Sequence, residues 1–419
     1  MPWRGQRYFA AYDSNNAHFM KEAKMAETLK RRIGPGLLTA YGVGVMVGAG
    51  IYVLVGAVAA EAGLYAPLAF LLAGLIAAPS ALSYAELSTR IPEAAGEAAY
   101  VEAGFRARWL GRIVGLAIVA GGAVSAAAVL RGGAGYLTSF VDIPLIWAII
   151  GLGAFLVIIA VIGVLESLAL AAVFTVIEVA GLALVVWTGW HAPVSPDWSM
   201  PAAPYVPGIS VAATLAFFAF IGFEDIVNMA EEVKRPERSL PIAIIASLII
   251  TTLLYAGVTV IAVRAVPIED LAASERPLAL VFEAGGGPIA LLSAIAVIAA
   301  LNGVLAQIVM AARVMFGLGK SGGVLSIFHH AHPRFGTPVL ATVLIGGFVI
   351  GAALALPVSN LAGVTSTILL LVFTLVNASL ILLKRHAPKA PFCIAPWVPW
   401  VGLIFALLAL VAFALGGAV

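Results

Sequence analysis

Charge is scarce in this chain. Of its 419 residues only 11% are charged and 62% are hydrophobic, with a mean hydropathy of +1.08. A soluble fold of this size could not keep such a composition in water. Cysteine is nearly absent: one residue, Cys393, excludes an intrachain disulfide. The histidines His18, His191, His329, His330, His332 and His386 all fall in tails or loops. No His/Cys cluster, paired-histidine motif or glycine-rich phosphate loop is present, so neither a metal, a cofactor nor an enzymatic site is expected. No charged ring or filter marks an ion channel. A net charge of +2 gives no reason to expect nucleic acid as a partner. Met1–Arg32 is polar and charged, which excludes a cleavable signal peptide.

Long apolar runs take the place of all these. They predict an all-α integral membrane protein of about eleven spans, with membrane lipid as its surroundings. The spans are Ile33–Ala60, Ala66–Ser88, Leu110–Phe140, Pro144–Gly163, Ser167–Trp190, Ile209–Ala230, Leu240–Val266, Pro288–Leu318, Pro338–Leu356, Leu361–Leu383 and Pro396–Val419. Basic residues crowd one set of connections: Lys21, Lys24, Lys30, Arg31 and Arg32 before the first span, then Arg90, Arg106, Arg108 and Arg112. Lys234, Arg235, Arg238, Lys320, Arg334, Lys384, Arg385 and Lys389 continue the series, while the other side has chiefly Arg264 and Arg276. The bias predicts a multi-pass protein of the cell (inner) membrane with a cytoplasmic N-terminus and an external C-terminus.

Two spans are interrupted. The sixth, "FFAFIGFEDIVNMAEE", Phe217–Glu232, carries Gly222 and then Glu224 and Asp225. The first, "GPGLLTAYGVGVMVGAGIYVLVG", Gly34–Gly56, carries Gly48–Ala49–Gly50 in its middle. Glycine also serves close helix packing. Two interruptions five spans apart favour a five-plus-five inverted repeat whose halves each begin with a discontinuous helix. At such breaks free N–H groups suit a carboxylate and free carbonyls suit an ammonium group. Facing each other, they form a receptor for a zwitterion, which makes an amino acid the expected substrate. The organisation read this way is a cytoplasmic tail at 1–32, repeats at 33–190 and 209–383, and an additional helix at 396–419. Glu224 and Asp225, just past the break, are expected to face an aqueous vestibule. Glu231 and Glu232 read as a solvated helix end, or as part of a salt-bridged cytoplasmic gate.

Four stretches carry a family resemblance. "GVGVMVGAGIYVLVG" resembles the first-helix signature of the amino acid–polyamine–organocation (APC) transporters. "FFAFIGFEDIVNMAEEVKRPERSLPIAI", Phe217–Ile244, resembles their sixth-helix signature. "YAELSTRIPEAAGEAAYV", Tyr84–Val101, is similar to their loop after helix two, and "AARVMFGLGKSGGVLSIFHHAHPRFGTP", Ala311–Pro338, to the passage between helices eight and nine. The resemblance covers roughly Ile33 to Leu383 and implies the leucine-transporter fold and alternating access. It implies that the backbone of Val47, Gly48, Ala49 and Gly50 binds the substrate carboxylate. Carbonyls of Met46, Phe218, Ala219 and Ile221, around Gly222, would bind the ammonium group. Phe218 or Phe220 would close over the substrate; core packing is the competing reading of each.

The chain departs from the resemblance in three places. Most such transporters have twelve helices, against eleven expected here. The leader Met1–Lys24 resembles nothing in the family. Arg131 and Glu178 put charge inside spans three and five. Glu178 lies twelve residues past Glu166, ~18 Å along a helix and so at mid-membrane depth. A charge there is a functional candidate: Glu178 either carries a coupling proton or forms a structural pair with Arg131. Sodium coupling is disfavoured, because the inner half of span eight holds no Ser or Thr and offers only Asn302 and Gln307 amides. The reading is therefore secondary transport of amino acids, by proton symport or exchange. Neutral substrates are favoured if Arg131 faces the pocket. The alternatives are a transport-dead sensor and a polyamine or cationic amino acid exchanger of the same fold.

Overall fold

The computed structural model describes residues 33–92, 96–138, 140–162, 168–199, 203–230, 232–319, 323–332 and 335–416. The tail at 1–32, Glu166, Glu231, Lys320 and Arg334 lie outside the described residues, as do the side chains of Gly48 and Ala49. Eleven apolar helices fall on the eleven expected spans: α1 Pro35–Ala62, α2 Ala66–Arg90, α3 Arg108–Leu137, α4 Leu145–Ile162, α5 Leu168–His191, α6 Val206–Phe217, α7 Pro236–Ala265, α8 Ile289–Gly319, α9 Val339–Ala355, α10 Val358–His386 and α11 Val398–Gly416. Eight segments are long and apolar enough to cross a membrane. One of these, Gly50–Arg90, runs through parts of both α1 and α2; Pro35–Val47, Val339–Ala355 and Val398–Phe413 are shorter apolar helices. Among the described residues there is no β-strand, only an isolated bridge between Ile33 and Val233.

Small residues set the packing. Gly115, Gly122 and Gly133 of α3 face Leu318, Gln307 with Met310, and Ala300 of α8 in that order, so the two helices run antiparallel. Without side chains on α3 at these points, the backbones approach closely and gain dispersion contact that apolar burial alone does not supply in lipid. The same pairing recurs: α1 lies along α6, α2 along α7 and α4 along α9. α5 packs on α1, α7 and α8, and α10 on α2, α3 and α11. The short helix Gly96–Phe105 between α2 and α3 leans on α10, where Gly104 meets Ser379.

One end of the bundle is held by ions. The Glu86 carboxylate is fully buried and meets Arg90 at 2.5 Å and Lys384 at 2.7 Å. It also accepts the Ile394 N–H at 2.8 Å. Arg90 donates to the Ala387 carbonyl and Lys384 to that of Ile394, so α2, α10 and the connection to α11 close on one carboxylate. Higher in the same helices, Asn377 donates to the Ser80 hydroxyl and accepts from Ser83. Every partner of Glu86 has an acceptor or a charge opposite, which is the condition under which a buried ion pair is tolerated. Glu86→Gln should therefore leave two buried cations unpaired. We expect it to cost about 3–5 kcal/mol, read as a large fall in unfolding temperature in detergent; an unchanged midpoint would count against this assignment.

Candidate functional site

The break in the sixth span is real and has a local cause. α6 ends at Phe217, tightens to a 3-10 turn over Phe218–Phe220, and then leaves helical geometry at Ile221, with φ −62° and ψ 132°. Gly222 follows with φ +124°, a conformation that side chains other than hydrogen rarely adopt. A second 3-10 segment, Glu224–Met229, resumes the chain. A Cβ on Gly222 would lie 2.7 Å from Val45 Cγ1 and 3.1 Å from the Met46 nitrogen, so the bend sits directly on α1.

The first span does not break. α1 is one α-helix from Pro35 to Ala62, which corrects the expectation of two discontinuous helices. Val47, Gly48, Ala49 and Gly50, which the resemblance implied as carboxylate donors, lie within this helix. Its glycines serve approach instead: a Cβ on Gly50 would stand 2.9 Å from Ala219 Cα. A helical carbonyl keeps a second lone pair, so Met46 can serve as an acceptor without any unwinding.

That lone pair is used. The Tyr255 hydroxyl of α7 lies 2.7 Å from the Met46 carbonyl oxygen and 2.9 Å from that of Ala219. One hydroxyl proton thus serves two acceptors, one on each side of the α1/α6 junction. The Tyr255 ring is fixed edge-on by Phe70 at 5.8 Å and Phe220 at 5.2 Å. Phe220 is thereby a packing residue of the α2/α7 side, whereas Phe218, also buried, has no such ring partner among the contacts described. On the other side of the bend, Gly222 donates its freed N–H to the Glu224 carboxylate at 2.9 Å. Asp225 accepts from Gln307 Nε2 at 3.4 Å. Both acids are buried, at 4% and 7% exposure, so they do not face an aqueous vestibule as expected: one caps the break and the other reaches α8.

Glu178 is fully buried at the meeting of α1, α5 and α8. Its Oε1 accepts from Asn302 Nδ2 at 3.3 Å, and its Oε2 has no hydrogen-bond partner. Its backbone carbonyl accepts the Tyr52 hydroxyl at 2.8 Å. No pairing with Arg131 is made. The Arg131 guanidinium points instead to Glu275 at 3.6 Å and donates to the Ala353 carbonyl at 3.0 Å. Glu178 is therefore a buried carboxyl with a single amide donor, and it lies within electrostatic range of Tyr52 and Tyr255.

A broken, buried helix is thus laid on an unbroken one, with polar groups at their junction. The amino acid permease family profile matches residues 37–419, nearly the whole of the eleven-helix body. The chain belongs to the amino acid permease family. The permease is 27% identical over 409 residues to the branched-chain amino acid permease BcaP of Bacillus subtilis (strain 168), covering 91% of this chain and 88% of that one. It is 29% identical to the methylthioribose transporter of the same organism, covering 91% and 87%. It is 33% identical to the mitochondrial cationic amino acid transporter 3 of Arabidopsis thaliana, covering 90% of the permease and 66% of that longer chain. These relatives are transporters, in keeping with the all-α membrane architecture.

Two groups of the permease escaped the sequence reading. Tyr255 sits in an unbroken apolar helix, where a tyrosine looks like core. Glu97, on the short helix Gly96–Phe105, is buried beside Tyr84. Removal from water pushes its carboxyl up to about 8, with the Asp225 charge adding to the effect and the Tyr84 hydroxyl opposing it.

Two expectations follow from this geometry. Gly222→Ala forces a side chain onto a φ of +124° and into Val45, so it should cost the permease stability of about 1–3 kcal/mol. Gly50→Val drives α1 off Ala219 and should abolish substrate binding in a protein that still inserts; normal binding would show that the glycine only fills space. Glu97 bears on pH. The folded permease keeps this proton between about 4.5 and about 8, where the unfolded chain has lost it. Its burial therefore costs progressively more stability as pH rises through that window, and no more above it. Glu97→Gln should match the wild type below the window and exceed it by a growing margin across it. Parallel unfolding-temperature curves at all pH values would refute the assignment.

Proposed function

We propose that the permease carries an amino acid across the cell membrane by alternating access, with the substrate bound where α6 bends over α1. The N-terminus is cytoplasmic in this reading, and 33–190 and 209–383 are the two inverted halves. The observation that carries it is the Tyr255 hydroxyl between the Met46 and Ala219 carbonyls. Two oxygens that share one hydroxyl are no more than 5.6 Å apart (2.7 + 2.9), a gap that an ammonium group also bridges. The single hydroxyl proton leaves one acceptor short at any instant, and an ammonium group brings three. Across the bend, the Gly222 N–H already holds a carboxylate, that of Glu224, in the way it would hold the substrate's. Each half of a zwitterion therefore has a side-chain counterpart in the site, and binding exchanges one set of hydrogen bonds for another. Phe218 closes the pocket, and Phe220 supports Tyr255.

Coupling falls to Glu178 and not to sodium. An unpaired carboxylate in the middle of an apolar bundle costs several kcal/mol, and a single amide donor offsets little of it. Glu178 resolves this by carrying a proton, released when the site opens to water. Arg131 is not at the junction, which removes the reason for favouring neutral over cationic amino acids. The relatives include a branched-chain permease and cationic amino acid transporters, and the backbone part of the site suits both classes.

Reconstituted permease should accumulate a labelled amino acid under an inward proton gradient and be indifferent to sodium. Glu178→Gln keeps the Asn302 contact and the shape. It should lose gradient-driven accumulation while retaining binding and counterflow exchange. Wild-type accumulation by this variant would falsify the coupling role. Failure of the wild type to take up any amino acid or polyamine that shifts its unfolding temperature would point to a sensor.

A further inference from the structure

Gln307 of α8 holds a polar atom that its surroundings leave unsatisfied. The residue is buried, with 7% exposed. Its Nε2 donates to Asp225 Oδ2 at 3.4 Å, reaching from α8 to the segment Glu224–Met229 that follows the bend. Its Oε1 has no hydrogen-bond partner among the described residues. A Cβ on Gly122 of α3 would stand 3.0 Å from that oxygen, so the wall on this side is apolar. An amide oxygen shut away from water without a donor is costly.

The residue opposite can supply the donor. A carboxylate only accepts, whereas a protonated carboxyl has one O–H to give. Carboxylic acid and primary amide are complementary. With the two groups in one plane, the acid O–H donates to the amide oxygen while the amide N–H goes on donating to the acid's other oxygen. One proton on Asp225 therefore gives Gln307 Oε1 its donor and removes a buried charge in the same step. The groups around Asp225 are chiefly acids and phenols. α1 brings Tyr41, the short helix Gly96–Phe105 brings Glu97, and Glu224 is the chain neighbour. α2 brings Tyr84, beside Glu97 and Glu224. α7 also packs on this segment and has no ionisable side chain between Ser239 and Thr251. Arg313 of α8 is exposed and bears on Tyr41.

We propose that Asp225 and Gln307 form a second proton site, on the cytoplasmic side of the bend, and that its proton moves with that of Glu178 in each transport cycle. The two sites are built alike. Each is a buried carboxyl that takes one N–H from an amide of α8, Asn302 for Glu178 and Gln307 for Asp225, and each pair holds an oxygen without a partner. The two amides are five residues apart in the sequence, or ~7.5 Å along the helix, so α8 carries both. Separation of α6 from α8 breaks the inner pair, wets the Asp225 carboxyl and returns its proton to water. The part of this proton in transport rests on the transport reading; its presence on Asp225 does not.

The proton can be seen without substrate. The carbonyl stretch of a protonated carboxyl stands apart from the bands of amides and carboxylates. Subtracting a variant's infrared spectrum from that of the parent, both purified in detergent, isolates it. Asp225→Asn is conservative here, because an asparagine amide repeats the acid's two hydrogen bonds to Gln307. It should remove one component of the band, whereas Glu97→Gln and Glu178→Gln should leave that component in place. Gln307→Leu should keep it and move it to the higher frequency of a carbonyl that has lost its hydrogen bond. In proteoliposomes, Asp225→Asn should halve the number of protons taken up per amino acid. The proposal is overturned if folded Asp225→Asn gives the parental band, if the component goes with Glu224→Gln instead, or if Gln307→Leu leaves it unshifted. An unchanged proton ratio in Asp225→Asn would overturn its share in the cycle. A parental permease that takes up no amino acid would end the transport reading and leave the spectra to decide the site.

Discussion

A peptide group that leaves its helix inside an apolar bundle must find its partner within the protein. At the bend of α6 this requirement organises everything around it. The Ala219 carbonyl takes its donor from Tyr255, and the Gly222 N–H takes its acceptor from Glu224. Tyr255 must in turn be held, and Phe70 and Phe220 hold it. Gly50 must be bare for α1 to come close enough to share the same hydroxyl. The bend thus selects side chains on α1, α2 and α7 before any substrate is considered. The bonds that make it tolerable are of the kind a zwitterion can replace at little net cost, because donors and acceptors are exchanged one for another.

The buried carboxyls divide by the same accounting. Glu86 has two cations and a backbone donor, so its charge is matched and it joins helices. Glu178 has one amide and no cation, and Glu97 has Tyr84 and a neighbouring acid. Burial alone does not distinguish these groups, since all are nearly inaccessible. The distinction lies in the partners. A matched charge joins helices, whereas Glu178 and Glu97 have no cation opposite them.

Much of the architecture was legible because it depends on average properties. Hydropathy placed ten of the eleven helices to within a few residues and overran the end of the sixth, where Gly222 marked the bend because a positive φ favours glycine. Gly48–Ala49–Gly50 misled for a physical reason: small residues permit both unwinding and close approach, and only the facing helix decides between them. Here Ala219 stands opposite, and the helix stays whole. Arg131 and Glu178 lie at similar depths in their spans, which suggested a pair, but depth says nothing about azimuth. The guanidinium turns to a loop and to a carbonyl orphaned by Pro357, neither of which depth or hydropathy can place. Tyr255 was invisible because its role lies in one hydroxyl at the end of an otherwise apolar ring.

The polar contacts also form a line. Leu278, on the short helix Pro277–Ala284 between α7 and α8, bonds Tyr136 of α3, Tyr136 bonds the Tyr52 backbone of α1, and the Tyr52 hydroxyl bonds the Glu178 backbone of α5. Proximity alone does not make this a coupling route; a shared two-state element would. α1 is a candidate for that element, because three of the constraints act on it. The Leu271 carbonyl meets it at Gly56, Tyr136 holds it at Tyr52, and Tyr255 holds it at Met46. A tilt of α1 acts at once on its Tyr136 contact, on its Tyr52 bond to α5 and on the shared hydroxyl at Met46. A tilt of α1 would then change the surroundings of Glu178 and the spacing of the Met46 and Ala219 carbonyls in one movement. That is what joining a proton to a zwitterion requires.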